Sequence, residues 1–329
     1  MKINHLLRFL LIISTVAWLA GCGTLPQSKT SEAPAPMPKP APEGPQWAIF
    51  NTSTGNSLHW NAAVEQIFAA DVIVVGEQHD NLIGHQVEAR LTEELLEESP
   101  SSCIALEMFE RNEQAFVDLY LDGQIEASTL VKITDSANWG GGTNTWNDFY
   151  QPIVDAVKAH RASGAGLKAA NCPRPYVQLA RLEGFETMEA IKDETALLFE
   201  IPDLTVDDAP YKARFVALMS PPASHASSDK EKESPQMGMH TVDPEAFFRA
   251  QQVWDASMAD SVVNAKALHP KVMLFVGEFH MAHEGGLVRR VKAKNPALKV
   301  ATVSIVRAEY LDTFNPDDVD RADLVIYTR

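Results

Sequence analysis

A glycine followed by glutamate and, one residue on, histidine occurs twice in this chain, as Gly76-Glu77-Gln78-His79 and Gly277-Glu278-Phe279-His280. A carboxylate and an imidazole at this spacing could act as general base and acid, or donate ligands to a divalent metal. One copy would equally serve as a turn with a helix-capping acid. Two copies in the same setting point to one shared polar crevice.

The setting is what makes the repeat informative. Val72-Ile73-Val74-Val75 and Val272-Met273-Leu274-Phe275-Val276 run directly into the two motifs. Unbroken apolar runs of this length, closed by glycine, read as strands buried on both faces of a parallel sheet. The carboxyl edge of such a sheet is where open α/β folds bind ligands. Two further runs deliver polar groups to the same edge: Cys103-Ile104-Ala105-Leu106 ends in Glu107, and Leu167-Lys168-Ala169-Ala170 ends in Asn171, with Arg174 just beyond. The candidate cluster is therefore Glu77, His79, Glu107, Asn171, Arg174, Glu278 and His280. Buried carboxylates must be paired, hydrogen-bonded or metal-bound. In a metalloenzyme reading the ligands are His79, His280 and Glu107, and zinc, manganese or iron would suit them. The plainer alternative is a satisfied ion-pair network in which Arg174 neutralises one acid.

The elements that position these residues alternate along the chain. Helices are expected over 60–70, through a stripe at Ile83, Val87, Leu91 and Leu95 until Pro100 stops it, and over 112–121. Further helices are expected at 148–161 and from Tyr176, and strands at 299–305 and 324–327. The Gly-rich stretch from Asn138 to Trp146 lacks the Lys-Ser/Thr pair of a phosphate-binding loop and follows no strand, so it reads as a pocket rim. Residues 186–268 depart from the alternation and read as a helical insertion. It holds a helix over 189–199, a polar surface loop at 223–236, and a long helix opened by Asp243-Pro244. The fold class is α/β, a parallel sheet flanked by helices with a smaller helical subdomain. Cys103 and Cys172 fall at opposite edges of that sheet, on the order of 10 Å or more apart, and are expected to be free buried thiols.

The N-terminus is read separately. Lys2 and Arg8 precede an apolar run too short to span a bilayer, so residues 1–21 read as a signal peptide. Leu19-Ala20-Gly21-Cys22 resembles the bacterial lipobox, which implies cleavage before Cys22, lipidation of Cys22, and an outer-membrane location given Gly23. Residues 22–45 are a proline-rich linker, and 46–329 the folded domain. Without its leader the chain carries a charge of −18, from 26 basic and 44 acidic residues. That balance leaves no basic stripe for nucleic acid and makes the lipid, not charge, the membrane link.

A second set of residues suits haem. Tyr150, Tyr176 and Tyr211 flank apolar segments, and His240 follows Met237 and Met239; an apolar pocket with a Tyr or His ligand holds haem iron. Gly76 to His79, Ala105 to Phe109, Trp146 through Tyr150 to Pro152, Asn171 to Arg174, Gln251 through Asp255 to Ala259, and Gly277 to His280 together resemble the ChaN family of haem-binding lipoproteins. The resemblance spans about 47 to 310. It implies an outer-membrane lipoprotein that takes haem as ligand for iron acquisition, with an outer-membrane haem receptor as a partner. It also implies a homodimer enclosing two stacked haems, each iron held by a Tyr, with a His and a Lys of the other subunit at the propionates. The wider superfamily includes Tiki/TraB-like metalloproteases and erythromycin esterases, whose catalytic groups are similar to Glu77, His79, Glu107 and His280. That keeps a metal-dependent hydrolase as the rival function.

Overall fold

Continuous β-branched runs are buried without strain only inside a sheet covered on both faces, and the computed structural model places them there. It describes residues 46–139, 142–219 and 243–329. The strands are β1 (Trp47–Asn51), β2 (Ser57–Leu58), β3 (Val72–Glu77), β4 (Cys103–Glu110), β5 (Gly166–Asn171), β6 (Val272–Gly277), β7 (Val300–Arg307) and β8 (Leu324–Thr328). They form a single sheet in the order β2-β1-β8-β7-β3-β6-β4-β5. From β8 to β5 every pairing is parallel. The sheet is thus mostly parallel, as expected, and β1 and β2 add an antiparallel hairpin beside β8. Those two strands are short and flank a Thr-Gly-Asn turn, so the sequence carries little period-2 signal there.

The helices are α1 (Trp60–Phe68), α2 (Leu82–Glu98), α3 (Gln114–Leu121), α4 (Ala127–Ile133), α5 (Trp146–Phe149), α6 (Gln151–Ala159), α7 (Arg174–Glu183), α8 (Phe185–Glu189), α9 (Ala209–Met219), α10 (Pro244–Lys266), α11 (Glu278–Met281) and α12 (Gly286–Lys294). Side chains alternate between the two faces of a strand, which divides the core in two. Ile73, Val75, Ile104, Leu106, Met273 and Phe275 pack with α1, α2, α3 and α6 on one face. Val72, Val74, Cys103, Ala105, Val272, Leu274 and Val276 pack with Met258, Val262, Leu287 and Val291 of α10 and α12 on the other.

Among the described residues, 186–268 is helical, as expected. α10 belongs to the layer covering the second sheet face, where its buried side is continuous with the strands. α7 packs against the amino-terminal half of α10 through a smaller apolar cluster that includes Val177, Met188, Phe199 and Val253. The helix expected at 189–199 is instead α8 followed by a 3-10 turn over Glu194–Leu198. Asp193 accepts a hydrogen bond from the Thr195 backbone N–H and caps the start of that turn. The surface loop expected at 223–236, His240 with Met237 and Met239, and residues 1–45 with Cys22 lie outside the described residues. Cys103 and Cys172 are buried and free, as expected, and burial pushes each thiol up to about 12.

Removing core volume at the centre of the sheet tests this packing. Leu274 is fully buried on the α10 side, and Leu274→Ala should cost about 2–5 kcal/mol. Urea unfolding should show a lower midpoint with an unchanged slope.

Candidate functional site at the carboxyl edge

β3 and β6 are neighbours, but their two Gly-Glu-x-His motifs are not equivalent. The register pairs Glu77 with Gly277, and Gly76 with Val276. Glu77 is thus the last residue of a strand, whereas Glu278 is the first residue of helix α11. One residue of offset sends the two glutamates to different places. Glu77 is buried inside. Glu278 turns outward, where Arg321 Nη1 donates to its Oε1 (2.6 Å) and Ser304 lies at 3.3 Å. Glu278 therefore leaves the expected cluster, and the helical turn of α11 brings His280 inward in its place.

Strand alternation also separates Glu77 from Glu107. Glu77 shares the parity of Ile73 and Val75 and points toward α2; Glu107 shares that of Cys103 and Ala105 and points toward α10. The edge thus carries two groups of polar side chains.

The first group is deep. Glu77 Oε1 accepts hydrogen bonds from the Tyr150 hydroxyl (2.6 Å) and from His79 Nδ1 (2.7 Å). α2 adds His85 and Glu88, whose Nδ1 and Oε2 lie 2.8 Å apart. His85 Nε2 donates to the His79 carbonyl oxygen at 3.0 Å. Asn81 fixes the start of α2 by accepting from Gly84 N and donating to Thr328 at the end of β8. Phe149 stacks on the His85 ring at 4.1 Å and closes the group from water. Glu77, His85 and Glu88 are the trio, among the described residues, whose ligand atoms all fall within 4.8 Å of one another; the expected metal set of His79, His280 and Glu107 is not such a trio.

The second group faces a cleft. Glu107 Oε2 accepts from the Gly277 backbone N–H at 2.5 Å, and its Oε1 lies 3.7 Å from His280 Nε2. His280 Nδ1 is held by Asp255 of α10 at 2.6 Å. Gln251, one turn earlier on α10, donates to the Tyr211 hydroxyl at 2.8 Å. Asn171 Nδ2 donates to the Glu107 carbonyl at 3.1 Å, so it shapes the strand end and does not reach the carboxylate. His79 stands between the groups. A side chain at Gly277 would meet the His79 ring at 3.0 Å, so glycine is what lets the imidazole lie over this strand end.

The cleft has a volume of about 870 Å³, within the roughly 300–1,000 Å³ of cofactor-sized sites. Glu107 and His280 lie at one side, Trp139, Phe215, Phe247 and Trp254 supply aromatic walls, and Arg174 and Arg181 add positive charge. Arg174 is exposed, 4.0 Å from Glu110 and 5.9 Å from the Trp139 ring centroid, and neutralises none of the clustered acids. The tyrosines do not line this cleft. Tyr150 is fully buried and its hydroxyl is committed to Glu77. Tyr211 is buried beside Phe248 and Phe279. Tyr176 is half-buried against Phe199 at 5.0 Å.

Burial sets the charge states. It pushes Glu77 up to about 7, with Glu88 adding repulsion and His79 opposing, and Glu88 up to about 8. Burial would lower His79, but Glu77 and Glu107 outweigh it and raise His79 to about 9. His280 likewise resists its own burial: Asp255 and Glu107 hold it above the usual imidazole range. Burial and the negative charge of Glu77 raise the Tyr150 phenol well above its ordinary value, which keeps it a donor.

Asp255, His85 and Glu88 had no role in the expected cluster. His85 and Glu88 lie three residues apart on α2, in line with Asn81 and Thr92. A buried polar stripe at helical spacing beside an apolar one was the available signal.

An open α/β sheet with convergent carboxylates, imidazoles and an aromatic cleft at its carboxyl edge defines a strand-edge ligand-binding protein. The family model described as haem-binding uptake, Tiki superfamily, ChaN matches residues 63–291, and the chain belongs to that family. Among solved structures, ChaN of Campylobacter jejuni, determined for its cofacial haem binding, shares the fold. Its TM-score is 0.57 at 19% identity, over 86% of this chain and 97% of that one. The type III effector HopBA1 (TM-score 0.44, 13% identity, 82% and 92% covered) and the erythromycin esterase EreC in its open conformation (0.42, 14%, 79% and 77%) are more distant. No curated protein sequence matches the chain.

The charge states predict a pH slope. Folded Glu77 and Glu88 keep protons that the unfolded chain releases near 4.5, so stability falls as pH rises from there to about 8. Charged His79 adds stability that is complete below 6.5 and lost as pH passes about 9, so its slope has the same sign. Melting temperature in chelating buffer should fall across this range, and Glu88→Gln, which cannot ionise, should flatten the part below pH 8. A wild-type melting temperature that rises with pH would contradict these assignments.

Proposed function

We propose that this chain is a lipid-anchored outer-membrane protein that binds haem for iron uptake, with haem as cargo and not as a catalytic cofactor. Membership of the haem-binding uptake family carries the reading, and the cleft supports it. Aromatic walls suit a flat macrocycle, and Arg174 and Arg181 suit its propionates. Arg181 is held over the Phe247 ring at 5.0 Å, which presents its guanidinium beside an apolar wall. The lipobox-like Leu19-Ala20-Gly21-Cys22 after an apolar stretch supports the anchor. A homodimer and transfer of haem to an outer-membrane receptor complete the proposal.

The residues fit haem with one change from expectation. Tyr150, Tyr176 and Tyr211 do not line the cleft, whereas His280 does. We assign iron ligation within the cleft to His280. Its Nδ1 is anchored by Asp255, an arrangement that orients an imidazole and strengthens its donor nitrogen.

A second reading rests on the Asp255–His280 pair facing Glu107. A buried carboxylate that fixes one imidazole nitrogen leaves the other to activate water against an ester carbonyl. That reading retains the hydrolase alternative.

Haemin titration of residues 46–329 should give a saturable Soret band near one haem per chain. His280→Ala should shift or abolish the band, and Tyr176→Phe should leave it unchanged. Arg174→Ala with Arg181→Ala should weaken binding on the order of tenfold, as expected for two partly solvated ion pairs. A band lost in Tyr176→Phe and kept in His280→Ala would move the ligand to the tyrosine. No saturable band, with ester hydrolysis that disappears in His280→Ala, would favour the hydrolase.

A further inference from the structure

The deep group behind the cleft contains an electrostatic contradiction that a cation would resolve. His85 Nε2 faces only the carbonyl oxygen of His79, at 3.0 Å, and a carbonyl can only accept. That contact places the ring proton on Nε2 and leaves Nδ1 with a bare lone pair. Nδ1 nevertheless lies 2.8 Å from Glu88 Oε2. Two electron-pair donors this close need a positive centre between or beside them.

The carboxylates repeat the problem. Glu77 Oε2 and Glu88 Oε1 are buried, and no donor reaches either oxygen. Glu77 Oε1 already accepts from Tyr150 and His79. The side chains of Glu77, Glu88 and His85 are each 1% exposed or less, so water does not complete them. Leaving such oxygens unpaired costs several kcal/mol per ionised group. Without metal, the protons kept by Glu77 and Glu88 cover these contacts; a cation would replace them and engage Glu77, Glu88 and His85 Nδ1 together.

We propose that Glu77, His85 and Glu88 form a binding site for a first-row divalent cation such as zinc, manganese or iron(II). Their ligand atoms lie within 4.8 Å of one another. A cation with donors at roughly 2.0–2.2 Å needs them about 4 Å apart or less, which small side-chain rotations supply. One imidazole with two carboxylates is a donor set these ions accept, and two glutamates balance the ion's charge. The outer contacts are in place: His79 O holds the His85 tautomer, while Tyr150 and His79 hold Glu77. Asn81, by capping α2, aligns His85 with Glu88 one turn apart. The site is separate from the cleft and does not rest on the haem reading.

The full-length chain, stripped with chelator and titrated with Zn²⁺, Mn²⁺ and Co²⁺, should bind one ion per chain by elemental analysis. Its melting temperature should rise with ion concentration, and Co²⁺ should give visible ligand-field absorption. Glu88→Gln keeps the shape of the protonated acid and should fold, yet lose at least tenfold in affinity; His85→Gln should do the same. His280→Ala and Glu107→Gln should bind as the wild type does. The proposal is overturned if the wild type binds no stoichiometric ion, or if Glu88→Gln and His85→Gln bind as well as the wild type. Binding that disappears instead in His280→Ala or Glu107→Gln would place the ion in the cleft and would overturn it too.

Discussion

The pairing of β3 with β6 in parallel, one residue out of step with their shared motif, is the constraint on which the site depends. Glu77 lies opposite Gly277, so one strand ends in a carboxylate where the other ends in a backbone N–H free to bind a side chain. That N–H binds Glu107 from the strand on the far side of β6. Three consecutive strands are thereby joined at their carboxyl ends by side chain and backbone together. The sheet provides this geometry at no extra cost because its core is closed on both faces.

Alternation along the strands then sorts chemistry by face. The α2 side receives a dry group of Glu77, Tyr150, His85 and Glu88, and the α10 side receives the wetter group of Glu107, His280 and Asp255. His79 is the physical link, bonded to Glu77 through one nitrogen and lying over Gly277. Low dielectric in the first group favours neutral or metal-bound carboxyls. In the second, Asp255 and Glu107 favour the charged form of His280 at the cleft wall.

Much of this was legible in the chain. Val72 to Val75 and Val272 to Val276 have a composition that only a doubly covered strand accommodates, and their glycine endings mark the edge. Glu77, Glu107 and His280 follow from that placement directly. Glu278 does not, because identical motifs hide whether the strand stops before or after the glutamate; hydrogen bonding across the sheet decides it. Asp255 and Gln251 come from α10, more than twenty residues from His280 in sequence, and are brought to it only by packing on the sheet. The β1–β2 hairpin is too short for any periodicity to show.

The parity of β3 bears on how such a chain can vary over evolutionary time. A one-residue deletion between Val72 and Val75 would rotate everything after it by half a pleat, exchanging core for core while moving Glu77 from α2 toward α10. Apolar packing could survive that change, since both faces are hydrophobic. The carboxylate could not, because the Tyr150 hydroxyl waits on one side only. Among descendants of this sequence, β3 is thus free to exchange one aliphatic for another but is held to a fixed count of residues, while insertions and deletions are left to the turn of the β1–β2 hairpin.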